Sequence, residues 1–172
     1  VLADVARLVG QDQARVKGWL DDGGVLVRFA GPRLSEGADD LMPVVLRLGG
    51  GRALGGTLTW EQPMPLDDFP EASPFIGLAV PDDVRVERQV LAEPAVDLAE
   101  KTWARLADGT PLVTAERRGG GWLVLFHTTA NTDWSSLVLS GLFVDMLQRI
   151  VALANGVDEG DLSAYLTPLS SL

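Results

Sequence analysis

A chain of 172 residues suits one domain with a good-sized core, and an apolar content of 47% excludes global disorder. Fourteen Lys and Arg stand against 24 Asp and Glu, so a formal net charge of -10 argues against nucleic acid or anionic lipid as a partner; the densest basic run is only Arg117-Arg118. The lack of cysteine excludes disulfides, thiolate metal sites and a cysteine nucleophile, and a lone histidine, His127, excludes a multi-histidine metal site.

The first elements read as a right-handed βαβ unit. Residues 1–5 have the pattern of a short strand. Residues 11–22 are a helix with Val16, Trp19 and Leu20 on one face, ended by Gly23-Gly24, because glycine accepts the left-handed geometry of a helix terminus. Residues 25–30 are almost continuously apolar, which fits a parallel strand covered on both faces.

The middle is less regular. Residues 31–43 read as a loop with a short helix near 39–41, and 44–48 as a strand. The glycine-rich run 49–56 is a turn leading to a strand at 57–60. Residues 63–81 hold five prolines and read as a surface connection whose Phe69, Phe75, Ile76 and Leu78 need packing partners.

The last third is clearer. A strand at 84–91 precedes segments 102–106, 111–116 and 122–127, separated by Asp-Gly and Gly-Gly turns, which predicts a three-stranded antiparallel meander. A loop then leads into a helix over 137–154, apolar except for a stripe of Asp145, Gln148, Arg149 and Ala152. Its length and charges predict a core helix with no direct membrane insertion. The chain opens at Val1 without Met and closes on a loop-like Thr-Pro-Leu-Ser-Ser-Leu, so we expect a piece of a longer protein. Residues 1–154 would form the domain and 155–172 a linker or tail.

Motifs that promise chemistry meet simpler readings. The glycines at 49–56 bring one cation, Arg52, and precede a strand, whereas a phosphate loop opens a helix. Asp133-Trp134-Ser135-Ser136 has the start of a metal-adhesion motif, but Leu137 stands where an oxygen ligand is needed, so Asp133 or Ser135 is expected to cap the following helix. No metal or cofactor is expected. His127 is a candidate general base, but no Gly-x-Ser-x-Gly elbow exists, and Ser140 is expected inside the helix. Asp4, Glu93 and Glu100 are acids without a paired spacing. Four of the five tryptophans are expected in packing. Trp134, in a polar loop beside Asn131, either plugs the seam between helix and sheet, the favoured reading, or offers a binding surface.

Two stretches resemble class I glutamine amidotransferases. The helix followed by Gly23-Gly24 and Val-Leu-Val-Arg-Phe-Ala-Gly at 25–31 is similar to the step into their nucleophile elbow, and Leu-Val-Leu-Phe-His-Thr-Thr at 123–129 resembles their Phe-His-Pro-Glu strand end. On that likeness His127 stands at the catalytic histidine. Thr128 and Thr129 replace proline and the acid, and Ala30 or Gly31 stands where cysteine would be. A closer likeness is to the amidotransferase-like domain of bacterial double-transmembrane, Bat-type (aerotolerance-related) proteins, a family of unknown function. It is carried by Gly-Gly-Val-Leu-Val-Arg-Phe-Ala-Gly-Pro at 23–32, Leu-Ala-Asp-Gly-Thr-Pro-Leu-Val-Thr-Ala at 106–115 and Leu-Phe-His-Thr-Thr-Ala-Asn-Thr-Asp-Trp-Ser-Ser-Leu at 125–137.

The resemblance implies an α/β, flavodoxin-like mixed sheet with helices on both faces, an antiparallel excursion near the C-terminus, and a βαβ unit ahead of Val1. It also implies a parent in the inner membrane with this domain in the periplasm. The function expected is a non-catalytic interaction or scaffold domain, with envelope proteins or neighbouring domains as partners and a homodimer through the edge at 1–5. The alternatives are a hydrolase rebuilt around His127 with Asp133 and Ser135, or a small-ligand or glycan module using Trp134 and Asn131.

Overall fold

In the computed structural model, the described residues are 1–47 and 56–156. In chain order the elements are β1 (Leu2–Ala3), α1 (Gly10–Asp21), β2 (Val25–Phe29), α2 (Pro32–Glu36), β3 (Thr57–Pro65), β4 (Arg85–Val90), β5 (Thr102–Arg105), β6 (Pro111–Arg118), β7 (Gly121–Phe126), a 3-10 turn (Leu137–Leu139) and α3 (Gly141–Ala154).

Five strands form one mixed sheet in the order β1-β2-β7-β6-β5, and β3 and β4 form a separate antiparallel ribbon. β1 and β2 run parallel around α1, and β2 runs parallel to β7 with Val25 opposite Trp122 and Phe29 opposite Phe126. β7, β6 and β5 are the antiparallel meander that the turn residues predict. Alternation along the strands sends Val27, Phe29, Val124, Phe126, Val113 and Ala115 to one face, where α3 covers them with Leu142, Met146 and Ile150. The opposite face carries Leu26 and Leu123 under Leu20 of α1, and Ala30 and Leu125 under Leu34 of α2. The result is an α/β fold with helices on both faces of its main sheet.

Local chemistry explains the departures from expectation. β1 is two residues long because Asp4, at φ 47°, turns the chain out of the strand, although its N–H still reaches the Phe29 carbonyl at 3.0 Å. The outer edge is therefore a short template for pairing. The short helix lies at α2 and not near 39–41. Pro32 suits its first turn, and the Asp4 carboxylate accepts from the N–H groups of Arg33 and Leu34 at 3.0 and 3.1 Å. Around 39–41 the backbone is instead held in a turn by Leu41 N–H on Asp39 Oδ1. Of the strand expected at 44–48, the described residues 44–47 make one bridge, between Leu46 and Ala92; residue 48 and residues 49–55 of the glycine turn expected at 49–56 lie outside the described residues.

Trp19 was expected on the inner face of α1 but is half exposed. Its ring lies over Gly24, where any Cβ would overlap it. Gly23 ends α1 at φ +102° as expected. Within the proline-rich connection Phe69 and Phe75 are buried, Leu78 is half-buried and Ile76 is exposed. The helix expected from 137 begins at Gly141, after the 3-10 turn. Its cap is Ser140, whose hydroxyl accepts from Phe143 N–H at 3.2 Å, and neither Asp133 nor Ser135 caps it. Its expected polar stripe is also corrected: Arg149 and Ala152 are buried, while Val144 and Val151 share the outer face with Asp145 and Gln148. No described helix is long and apolar enough to cross a membrane. The expected tail over 155–172 lies outside the described residues from 157 onward.

Candidate functional site

Open α/β sheets bind ligands at the carboxyl ends of their parallel strands. Here that edge carries Ala30, directly after β2, and His127, directly after β7. The two strands are joined at this point by Ala30 N–H on the Phe126 carbonyl, 2.8 Å. The topology thus brings together the two positions at which the amidotransferase resemblance places nucleophile and base.

Neither position is open. His127 is completely buried. Its Nδ1 lies 2.8 Å from the Val90 carbonyl, which can only accept, so Nδ1 carries the proton. Nε2 then accepts from the Thr114 hydroxyl at 2.9 Å. Burial pushes its pKa down to about 4, against the opposing hydrogen bond to Val90, so the ring is neutral at neutral pH. Ala30 is wholly buried beneath Trp134 and Leu34. Gly31 is extended at φ -179°, unlike a strained elbow, and the Asp4 carboxyl occupies the space a Cβ would need.

The other candidate residues do not converge on His127. Asn131 and Asp133 are exposed and form a closed turn: Asn131 Nδ2 donates to Asp133 Oδ2 at 2.8 Å, and Asp133 N–H donates to Asn131 Oδ1 at 3.1 Å. Ser135 is buried, in a bridge to Val86, and its Oγ has no partner among the described residues. Trp134 is only 3% exposed, which corrects its reading as a binding surface. It packs with Ala30, Met42, Leu46 and Val90, its carbonyl accepts from Glu87 and Arg88 N–H, and the Arg88 guanidinium lies 5.8 Å from its ring centre. Of the unpaired acids, Asp4 serves α2 and Glu93 donates its backbone N–H to the Val45 carbonyl.

Sequence reasoning missed the charged hub beside this edge. Arg28 is 1% exposed and pairs with Asp39 at 2.6 Å. Its Nη2 donates to the carbonyls of Val5 and Ala6 at 2.8 and 2.7 Å, while Asp39 Oδ2 accepts from Leu8 N–H at 2.8 Å. A lone charge inside Val-Leu-Val-Arg-Phe was the available signal, since a strand covered on both faces must supply such a charge with partners. Also missed was an open-sided cleft of about 570 Å³, which lies over Glu116 and Arg118 of β6 and does not include His127.

No protein-family model matches the chain, and no curated protein matches it. Among solved structures, a cytoplasmic protein from Salmonella typhimurium is similar at a TM-score of 0.61 and 12% identity, over 83% of this chain. The likeness is one of fold. This chain spans 60% of that protein's length.

Proposed function

We propose that this chain is a non-catalytic interaction or scaffold domain, built on a class I amidotransferase-like architecture and belonging to a membrane-anchored bacterial envelope protein. The observation that carries the reading is the occupation of both reacting positions by packing. The histidine spends both nitrogens on Val90 and Thr114, the β2 end is a buried alanine, and the glycine after it has its side-chain space filled by Asp4. A general base must reach its proton, and a nucleophile must reach a carbonyl. The envelope placement comes from the sequence resemblance alone and extends the reading to protein partners or neighbouring domains.

Hydrolysis of glutamine, simple amides and activated esters tests the central claim. The expected result is release no faster than in buffer for both wild type and His127→Gln. Turnover by the wild type that disappears in a folded His127→Gln variant would sink it. Protease accessibility of this domain in spheroplasts of cells making the full parent tests the compartment, with cleavage expected before lysis.

A further inference from the structure

The loop at 38–46, the segment at 93–101 and β6 line the open-sided cleft of about 570 Å³. That volume falls in the range of small-molecule sites. One wall is apolar, formed by Met42, Pro43, Val44, Leu46, Pro94 and Ala95. The floor is a line of charges of alternating sign. Lys101 Nζ lies 2.8 Å from Asp97 Oδ2 and 3.0 Å from Glu116 Oε1, and Glu116 Oε2 accepts from Arg118 Nη2 at 2.7 Å. Arg118 Nη1 donates to the Asp40 carbonyl at 3.1 Å, which fixes the far end of the line.

These groups are oriented without being used up. Lys101 has three donors and two carboxylate partners, and Arg118 has five donors, of which two are engaged at these contacts. Their side chains stay partly open, 24% for Lys101, 28% for Glu116, 36% for Arg118 and 47% for Asp97. Burial works against ionised Glu116, yet hydrogen bonds from Arg118 and Lys101 hold its carboxyl below the usual range, and Asp97 and Glu116 raise the Lys101 ammonium. Asp97, Lys101 and Glu116 are thus charged at neutral pH.

The lining also carries Asp39 and Asp40, which are paired with Arg28 and Lys17, and an exposed Glu93. Within the four-charge floor a ligand of one sign meets repulsion from half of the groups. A ligand carrying both signs finds a partner for each, and an apolar side chain on it finds the wall. We infer that the cleft binds a small zwitterion with an apolar side chain, of the class of free α-amino acids such as leucine and methionine. The carboxylate faces Lys101 and Arg118, the ammonium faces Asp97 and Glu116, and the side chain lies on Met42, Val44 and Ala95. This site is separate from the His127 edge, so its failure leaves the non-catalytic reading standing.

The test is an NMR titration of the whole chain with L-leucine and L-methionine, beside N-acetyl-leucine and leucine amide, each of which lacks one charge. Saturable shifts confined to residues 42–46, 93–97, 101 and 116–118 are expected, with binding about tenfold weaker for either blocked analogue. Lys101→Met and Glu116→Gln are expected to remove the shifts while circular dichroism remains that of the wild type. Absence of saturation by either amino acid at about 20 mM, well above typical small-ligand affinities, would overturn the inference. So would equal binding of the blocked analogues, or shifts that map elsewhere. The wild-type map and the analogue series decide the matter even if a variant fails to fold.

Discussion

Arg28 sits near the end of β2, and its charge is answered by Asp39 and by the carbonyls of Val5, Ala6 and Leu41. Removing one partner of such a pair leaves an ion in a place water cannot reach. Asp39→Ala is therefore expected to lower the unfolding free energy by about 3–5 kcal/mol, measured by urea denaturation. Arg28→Met combined with Asp39→Leu, which removes both charges, is expected to recover most of that loss. The need for a partner was legible in the sequence, since a charge stood alone among valines and leucines. Its identity was not, because Asp39 arrives from a loop with no periodicity to mark its direction. His127 is a similar case. That a histidine ending a buried strand serves as a hydrogen-bonding group could be argued from its position, but Val90 and Thr114 are far from it in sequence and nothing local selects them.

The antiparallel meander was legible because its information is local: Asp108-Gly109 and Gly119-Gly120 provide turn chemistry between alternating strands. α2 was not, because the carboxylate that satisfies its first N–H groups belongs to Asp4, on a different element. The glycines after β6 carry more than a turn. Gly120 N–H bonds the Asp21 carbonyl at 3.1 Å, and Trp122 N–H bonds the Gly24 carbonyl at 3.0 Å, so this hairpin lies directly on the end of α1. A Cβ at Gly121 would overlap the Gly24 carbonyl and lie 2.7 Å from that of Leu20. Both obstacles are backbone and cannot rotate away. Gly121→Ala is expected to cost about 3 kcal/mol, seen as a lower denaturation midpoint, while alanine at Gly37, which has open space, is expected to be nearly neutral.

For the whole molecule, His127 is a joint between the main sheet and the β3–β4 ribbon. Its ring holds the Val90 carbonyl of the ribbon and the Thr114 hydroxyl of the main sheet, and Val90 N–H returns a bond to the His127 carbonyl at 2.9 Å. Because the folded state keeps the ring neutral down to about 4, against an ordinary value of 6.5, the unfolded chain takes up the proton first as pH falls. The stability due to the neutral ring is complete above about pH 6.5 and is lost progressively towards pH 4, a change of about 3 kcal/mol. Urea midpoints measured from about pH 7 down to about pH 5, above the carboxylate range, are expected to fall for the wild type and to stay nearly level for His127→Gln. The layered α/β architecture was legible at this scale, as its strands and helices alternate in the sequence. The separation of β3 and β4 into their own ribbon was not, since pairing partners are set by tertiary packing.

The pairing of β2 with β7 bears on how the chain is made. The centre of the main sheet joins residues 25–29 to residues 122–126, with the ribbon, the proline-rich connection and two meander strands encoded between them. During synthesis from the N-terminus, Leu26 and Phe29 emerge long before the strand that will shield them. The nascent βαβ unit must wait with one apolar flank uncovered until residues 122–126 have left the ribosome. Closing so long a loop before any central contact forms makes folding slow compared with a helical bundle of this size.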